Sequence, residues 1–309
     1  MSGDPRTPAS PGDADRDAAG EFIEVAGLQV HTLRDGQGPP ILLLAALGSN
    51  WFDLQPLTVE LRDHWQVLRY DRPGYGLSQP RQFGRVPTLQ GEIDRIRAVL
   101  DHAGADKAVL VAHSMASLYA EGFARALPDR VSGIVMIEGS YVTVPWRIVP
   151  PRLRVIDGHL LIAAVEAIGI TRPLLKRFGA NRLRAMFLPA PPGGFTDHEK
   201  TWAPRVFGGH NMLLATITEN AAFPTENLSL RQLRRDRDLP EVPKAVIAAL
   251  PRGRRWARIW ATKQKSYSRM LGAKFHAIRP ARHFVILERP HEVAEIIDET
   301  FGRTHEETR

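Results

Sequence analysis

The feature that most constrains the fold of this chain is an alternation of short apolar runs with helical patterns. Two runs of alternating polarity come first, in EFIEVAGLQVHTLRDGQG, and are predicted to be strands. Six further strands are predicted at apolar runs that span residues 39–47, 65–70, 107–112, 131–140, 243–250 and 274–280. Helical periodicity separates most of these runs. The alternation predicts an α/β fold with a mostly parallel eight-stranded sheet and helices on both faces.

The alternation stops between residues 141 and 240, where the apolar pattern is helical and proline-rich joints such as PAPPGG interrupt it. We interpret this stretch as a helical cap inserted after strand 6 of a single sheet domain. The sheet domain is then built from residues 21–140 and 241–309. Residues 1–20, with their high content of Pro, Gly, Asp and Ala, are predicted to be a disordered tail.

Composition excludes several other classes of protein. Of the 309 residues 43% are hydrophobic, which is enough for a sizeable core. The absence of cysteine excludes disulfide bonds and thiolate chemistry. No apolar run reaches the roughly 18 residues that span a bilayer, and the N-terminus lacks the basic and apolar regions of a signal peptide. We therefore expect a cytoplasmic protein without membrane insertion.

The net charge of +7 does not by itself indicate a nucleic-acid partner. The basic clusters at 231–237 and 252–258 are interleaved with carboxylates and apolar residues, as on solvated helix faces. No zinc-finger, P-loop or redox-cofactor pattern accompanies them. We expect a small-molecule substrate, no nucleic acid, no cofactor and no metal, and the sequence leaves a homo-oligomer open.

Ser114 stands where a predicted strand ends and a helical pattern begins at once, in LVAHSMASLY. A serine on such a strained turn presents its Oγ above the sheet, which is the arrangement of the nucleophile elbow, G-x-S-x-G. Both glycines are alanines here, Ala112 and Ala116. Because alanine is the next smallest residue, these changes reduce the clearance between strand and helix but still allow the two to meet. The alternative is that Ser114 only caps the helix.

Three segments, in this order, resemble the α/β-hydrolase superfamily, and the resemblance runs from about Glu21 to Phe301. RYDRPGYGLS looks like the D-x-R/P-G-x-G-x-S segment that follows strand 4 in many members. The stretch from VLVAHS to MIEGS matches the elbow, its helix and the next strand, and ARHFVILERPHEVAEII looks like the terminal G-H-F…E-x-P segment. The resemblance implies an α/β-hydrolase fold with a helical cap after strand 6.

The resemblance also implies a catalytic triad. His283 follows the last strand and comes after Ser114 in the chain order Ser…acid…His, so it is the candidate general base. The family most often places the acid after strand 7, but this sequence has no Asp or Glu from Val242 through Leu287. The other position used in the family is the end of strand 6, where Glu138 stands. Glu138 is therefore the predicted acid.

The predicted oxyanion donors are two backbone N–H groups. One belongs to Met115, the residue after the nucleophile, and the other to Leu47 in the loop after strand 3. This loop reads AALG where the family usually has H-G-x-G. Because the donor is a backbone N–H group, this difference in side chains does not remove it. The shape of the loop and the fit of the substrate nevertheless change.

Predictions also follow for other residues of these segments. Arg69, Asp71 and Arg72 of the DRPG turn are expected to form a structural ion-pair corner. His113 is a poor rival to His283 because, next to the serine on a strand-like stretch, it should point to the opposite side. Arg282 stands where the family favours glycine, and the sequence does not explain it.

The resemblance implies a cofactor-free serine hydrolase that acts on an ester, thioester or lactone of a small, largely apolar substrate. Ser114 excludes the aspartate nucleophile of dehalogenases and epoxide hydrolases. Two alternatives stay open: a lyase, cyclase or perhydrolase that uses the same serine and histidine, and a catalytically silent small-molecule-binding protein. Apolar cap residues that could line a pocket, or pack on one another, are Leu160, Leu161, Phe178, Met186, Phe187, Met212 and Leu213.

Overall fold

A computed structural model describes residues 20–82, 85–140, 190–194, 202, 205–207 and 210–303. These residues form one eight-stranded sheet with the strand order β1-β2-β4-β3-β5-β6-β7-β8. The strands are β1 (Glu21–Val25), β2 (Leu28–Asp35), β3 (Pro40–Leu44), β4 (Gln66–Tyr70), β5 (Ala108–His113), β6 (Val131–Ile137), β7 (Lys244–Ala249) and β8 (Lys274–Ile278). The pairings β1–β2 and β2–β4 are antiparallel, and the other five are parallel. The predicted mostly parallel, eight-stranded sheet is confirmed.

Seven α-helices that connect or follow these strands have bounds in the described part of the chain, and residues 202 and 205–207 are helical as well. The seven helices are α1 (Gln55–Leu61), α2 (Leu89–His102), α3 (Ser117–Ala126), α4 (His210–Asp236), α5 (Arg254–Leu271), α6 (Val285–Glu288) and α7 (Pro290–Thr300). Thr88 caps α2 as predicted, because its Oγ1 accepts a hydrogen bond of 3.1 Å from the Gly91 N–H.

The two faces of the sheet bury separate hydrophobic cores. Alternate residues of a strand point to opposite faces, so Leu42 and Leu44 of β3 face one core while Ile41 and Leu43 face the other. Helices α2, α3, α4 and α5 contribute to the first core, and α1, α6 and α7 contribute to the second. Because both faces are covered, the central strands are apolar along their whole length, which is the pattern seen in the sequence.

The insertion predicted after strand 6 lies between β6 and β7. Its described part includes α4, a helix of 27 residues that packs on α3 and α2. The predicted cap boundaries at 141 and 240 stay a prediction. Of the apolar cap residues considered for a pocket, Met212 and Leu213 lie on α4, and the other five lie outside the described residues. Nearly all of the predicted tail also lies outside the described residues.

No described helix is long and apolar enough to cross a membrane.

The parallel strands bring distant parts of the chain to one edge of the sheet. The carboxyl ends of β3, β5, β6, β7 and β8 all lie at this edge, because these five strands run in the same direction. The chain crosses from β4, on one side of β3, to β5 on its other side. In open α/β sheets ligands bind at the carboxyl ends of the strands, beside such a change of direction. The residues that follow these strands are therefore the candidates for a ligand site.

One carboxyl group of α4 is buried without a charged partner among the residues that the structure describes. Glu226 is 1% exposed, its Oε2 accepts a hydrogen bond of 3.2 Å from the Tyr119 hydroxyl, and its Oε1 has no partner among the described residues. Burial, and secondly repulsion from Glu219 on the same helix, raises the pKa of Glu226 from 4.5 to about 8. Between these two values the folded chain holds a proton that the unfolded chain releases. The stability contributed by Glu226 is therefore lost as the pH rises through this window.

We expect Glu226→Gln to remove this pH dependence, since the amide is neutral at every pH and has nearly the same shape. The melting temperature of the variant should exceed that of the wild type by clearly more at pH 9 than at pH 6, because at pH 6 the wild type has lost only part of this contribution. Thermal unfolding followed by circular dichroism at both pH values measures the difference. An equal shift at pH 6 and pH 9 would contradict the assignment of a raised pKa to Glu226.

Candidate active site

Ser114 lies on a strained turn between β5 and α3. Its φ angle is +56°, a left-handed conformation that is uncommon for a residue other than glycine. One turn of 3-10 helix, Ser114–Ala116, then leads into α3. The Ser114 carbonyl accepts hydrogen bonds from the Ser117 hydroxyl at 2.7 Å and from the Ser140 N–H at 3.2 Å, and these hold the turn. Ala112 and Ala116 are buried beside it, so strand and helix meet here with alanine in place of glycine.

The structure brings the three predicted triad residues together. The Nε2 of His283 lies 2.9 Å from the Oγ of Ser114, and its Nδ1 lies 3.1 Å from the Oε2 of Glu138. Since a carboxylate oxygen accepts, Nδ1 carries the ring proton, and Nε2 is left to accept the serine hydroxyl proton. The His283 side chain is 44% exposed whereas that of Glu138 is 3% exposed. The serine–histidine end of this chain of hydrogen bonds is thus open to a ligand, and its acid end is closed.

Glu138 is held in place by neighbours on two elements. It follows β6 with a φ angle of +56°, and its Oε1 accepts hydrogen bonds from the Ala249 N–H at 2.6 Å and the Trp260 Nε1–H at 2.7 Å. Ala249 ends β7, and Trp260 lies on α5. Because Oε1 is taken by these two donors, Oε2 is the oxygen that faces His283. The end of β7 therefore contributes a backbone donor, and the carboxylate comes from β6.

The two predicted oxyanion donors lie beside the serine turn and in the loop after β3. Met115, directly after Ser114, is buried, and Leu47 packs against the same core with part of its side chain exposed. The carbonyls of Ala45 and Ala46, just before Leu47, accept hydrogen bonds of 2.6 and 2.9 Å from the guanidinium of Arg72. The shape of this loop therefore depends on a residue from the turn after β4.

Arg69, Asp71 and Arg72 all form structural pairs, as expected, but their partners lie on other elements. Arg69 pairs with Asp35, Arg72 with Glu219 and Asp71 with His31, so each charge has a partner on another element. The Asp71 carboxylate also accepts hydrogen bonds from two backbone N–H groups, those of Trp51 and Leu77. Neighbouring side chains of an extended turn point in different directions, so closeness in sequence does not bring their charges together.

Comparison with known proteins now identifies the family. A model of the alpha/beta hydrolase family matches residues 41–296, which is most of the chain. This chain belongs to the alpha/beta hydrolase family.

The relatives of this alpha/beta hydrolase differ in activity. It is 29% identical over 126 residues to the cis-3-alkyl-4-alkyloxetan-2-one decarboxylase of Shewanella oneidensis, a match that covers 40% of each chain. It is 28% identical over 138 residues to the pimeloyl-[acyl-carrier protein] methyl ester esterase of a Shewanella species, covering 43% of this chain and 49% of that protein. The matches thus span less than half the length of these relatives.

A solved structure extends the similarity over nearly the whole chain. The thermophilic esterase from Thermogutta terrifontis matches with a TM-score of 0.63 and 20% identity, covering 91% of this chain and 96% of that chain. At this identity the similarity shows the fold alone, and it agrees with the sheet described above.

Sequence reasoning missed the role of His113 in this alpha/beta hydrolase. The expectation that His113 points away from the site was incomplete, because its Nε2–H donates a hydrogen bond of 2.8 Å to the carbonyl of His283. The two rings lie 5.0 Å apart, and the Phe284 ring is 5.1 Å from that of His113. The segment after β8 passes His113, a contact between residues 170 positions apart that strand alternation does not reveal. The only feature of the sequence that could have indicated this contact is the position of a histidine directly before the serine.

Burial, together with the nearby His283, lowers the pKa of His113 from 6.5 to about 3. We therefore expect the His113 ring to stay neutral between pH 5 and pH 8, which keeps its Nε2–H directed at the His283 carbonyl. Histidine ring signals followed by NMR across this range, and assigned with a His113→Gln variant, test this. An inflection of the His113 signal near pH 6.5 would contradict it.

Phe284, the residue after His283, packs against a hydrophobic cluster. We call it the aromatic cluster; it consists of Leu33, Trp51, Phe52, Trp202, Val206 and Phe207. Met212 of α4 also packs against it. The ring of Phe284 lies 5.4 Å from that of His283, so the histidine is apolar on the side of Phe284.

Arg282, which the sequence left unexplained, binds Glu288 of α6 through both its backbone N–H and its guanidinium, so the pair joins the ends of the segment that contains His283. Among the residues that the structure describes, no group of three or more His, Asp or Glu side chains could hold a metal ion.

Proposed function

We propose that this alpha/beta hydrolase is a serine hydrolase that cleaves an ester, thioester or lactone bond of a small, largely apolar substrate. The observation that carries the proposal is the unbroken chain of hydrogen bonds from the Ser114 hydroxyl through His283 to Glu138. It has the nucleophile, base and orienting acid of a triad in hydrogen-bond reach of one another. No cofactor is needed for the reaction that follows.

In the first half of the reaction Ser114 Oγ attacks the substrate carbonyl carbon while its proton passes to Nε2 of His283. The resulting imidazolium is stabilised by Glu138 at Nδ1. The carbonyl oxygen becomes an oxyanion, which the N–H groups of Met115 and Leu47 bind. When the tetrahedral intermediate collapses, the bond to the leaving group breaks, and His283 returns the proton to the alcohol or thiol that departs.

In the second half a water molecule attacks the acyl-enzyme, and His283 again takes the proton. Collapse of the second intermediate releases the carboxylic acid and restores the Ser114 hydroxyl. Substrate and water enter from the exposed side of His283, since the other end of the triad is buried. The double hydrogen bond at Oε1 of Glu138 keeps the acid from turning during both halves.

The apolar character of the substrate is inferred from the aromatic cluster and Phe284 beside His283. A carbonyl substrate agrees with one of the similar proteins, the pimeloyl-[acyl-carrier protein] methyl ester esterase. We further propose that the cap between β6 and β7 selects among substrates, because Met212 of α4 packs against the cluster. The chemistry itself would stay with the residues at the strand ends.

A non-hydrolytic reaction at the same residues is the second candidate. It is favoured by the similarity to a decarboxylase whose substrate is an oxetan-2-one, which is a four-membered lactone. Opening such a ring would also begin with a nucleophile and an oxyanion. The products of a simple β-lactone distinguish the two candidates: a hydroxy acid indicates hydrolysis, and carbon dioxide with an alkene indicates decarboxylation.

We expect Ser114→Ala to abolish ester hydrolysis and labelling by a fluorophosphonate while the fold persists, because the change removes one oxygen atom. Hydrolysis of a panel of esters of graded acyl length, and mass spectrometry of the labelled protein, measure both effects. Ser229→Ala, a change at an exposed serine of α4, is the matched control and should behave like the wild type. Retained ester hydrolysis in purified Ser114→Ala would exclude this mechanism.

Glu138→Gln should lower kcat by about 10⁴, the cost of the corresponding acid-to-amide change in the serine-protease template. The amide oxygen can still accept from Ala249 and Trp260, which leaves the NH₂ group facing Nδ1 of His283. A donor there forces the ring proton onto Nε2, the nitrogen that must accept the serine proton.

Steady-state kinetics on the best ester of the panel measure this effect, with Glu241→Gln, at an exposed site before β7, as the control. A loss of less than about tenfold, far below the template value, would make Glu138 a structural residue. The site would then work as a serine–histidine dyad.

A further inference from the structure

Arg72 connects the loop after β3 with helix α4. Its Nη1 and Nη2 donate hydrogen bonds to the carbonyls of Ala45 and Ala46, at 2.6 and 2.9 Å. Its Nε and Nη2 also bind the two carboxylate oxygens of Glu219 on α4, at 2.8 and 3.0 Å. Both side chains are almost fully buried, at 4% and 0% exposure. One guanidinium group therefore holds two successive carbonyls of the loop and one carboxylate of the insertion.

The orientation of these carbonyls determines where the next N–H group points. The Ala46 carbonyl and the Leu47 N–H belong to the same planar trans peptide unit, in which C=O and N–H point in opposite directions. Because the Ala46 carbonyl points at Arg72, the Leu47 N–H points away from it. A hydrogen bond from a cation also polarises the peptide unit and strengthens its N–H as a donor.

Arg72 is itself confined on every side that the structure describes. Its guanidinium lies 5.0 Å from the ring centre of Tyr75 and 5.7 Å from that of Tyr119. The Tyr75 hydroxyl donates to Glu219 at 2.9 Å, which fixes the carboxylate. Burial opposes the charge of Arg72, but Glu219 outweighs this effect and raises the pKa of Arg72 well above its ordinary value. Arg72 therefore stays charged at any working pH.

We propose that Arg72, anchored by Glu219, is a positioning residue that aims the Leu47 N–H at the substrate oxyanion. The inference rests on the proposed function, because it assigns a cause to the geometry of one of the two oxyanion donors. It also gives the insertion between β6 and β7 a part in the chemical step, since α4 supplies the carboxylate that holds Arg72. The loop after β3 has the sequence AALG and not H-G-x-G, and Arg72 fixes the position of this loop.

The test compares the wild type with variants that break this link in different ways. Arg72→Met alone would leave Glu219 buried without a partner, which is strongly destabilising. The double variant Arg72→Met/Glu219→Gln avoids this cost because it leaves no buried charge. Glu219→Gln keeps the guanidinium but weakens its anchor, and Arg72→Lys keeps the charge but loses the planar fork. Glu226→Gln, at the other buried glutamate of α4, is the matched control.

Three quantities are measured for each protein: the second-order rate constant of fluorophosphonate labelling at Ser114, kcat and KM for one ester, and the melting temperature. We expect the double variant to lose about 10²-fold in labelling rate and in kcat, near the cost of removing one oxyanion donor, with KM almost unchanged. Arg72→Lys and Glu219→Gln should lie between the double variant and the wild type. Glu226→Gln should label like the wild type.

The outcomes separate this inference from the proposed function. If the wild type is not labelled at Ser114, the proposed function fails and the inference fails with it. If the wild type is labelled and the folded double variant is labelled equally fast, Arg72 only ties α4 to the core, and the inference alone is overturned. Should the double variant not fold, Glu219→Gln decides: a labelling rate equal to that of the wild type rejects the inference, and a slower rate with KM unchanged supports it.

Discussion

The arrangement of the candidate site depends on the Glu138 carboxylate, which joins three separate elements. It follows β6, receives hydrogen bonds from the end of β7 and from Trp260 of α5, and faces His283 after β8. Burying a carboxylate to 3% exposure costs free energy unless it has hydrogen-bond partners. Here both of its oxygens accept hydrogen bonds, which prevents the carboxylate from rotating. The strain of its left-handed backbone is tolerated because these bonds determine its conformation, as the turn around Ser114 determines that of the serine.

Most of the sheet could be predicted from the sequence because parallel strands covered on both faces must be apolar along their length. Because these strands are also parallel, the residues that follow β5, β6 and β8 lie at one edge of the sheet. The closeness of Ser114, Glu138 and His283 therefore follows from the strand order. The absence of carboxylates from Val242 through Leu287 was informative for a similar reason, since it left the end of β6 as the position for an acid. The sequence thus predicted the residues that meet, while their catalytic role is a proposal.

Contacts between distant, non-repeating parts of the chain could not be predicted. The pairing of Arg72 with Glu219 joins residues 147 positions apart, and nothing in the DRPG turn indicates a partner on a helix of the insertion. Asp71, the neighbouring carboxylate, was the obvious partner by sequence, but backbone N–H groups and His31 occupy it. A charge in a turn binds whatever the fold brings near, and amphipathic patterns carry no information about that.

Helix α4 has two buried carboxyl groups, Glu219 and Glu226, about two turns apart on one face. Glu219 meets the guanidinium of Arg72, whereas Glu226 receives a hydrogen bond from the Tyr119 hydroxyl. A second negative charge on this face would repel the first, and this repulsion, after burial, contributes to the raised pKa of Glu226. Glu226 therefore keeps its proton at neutral pH. Glu219 thereby joins α4 to Arg72 and, through it, to the loop that contains Leu47, while Arg234 of α4 pairs separately with Glu121 of α3.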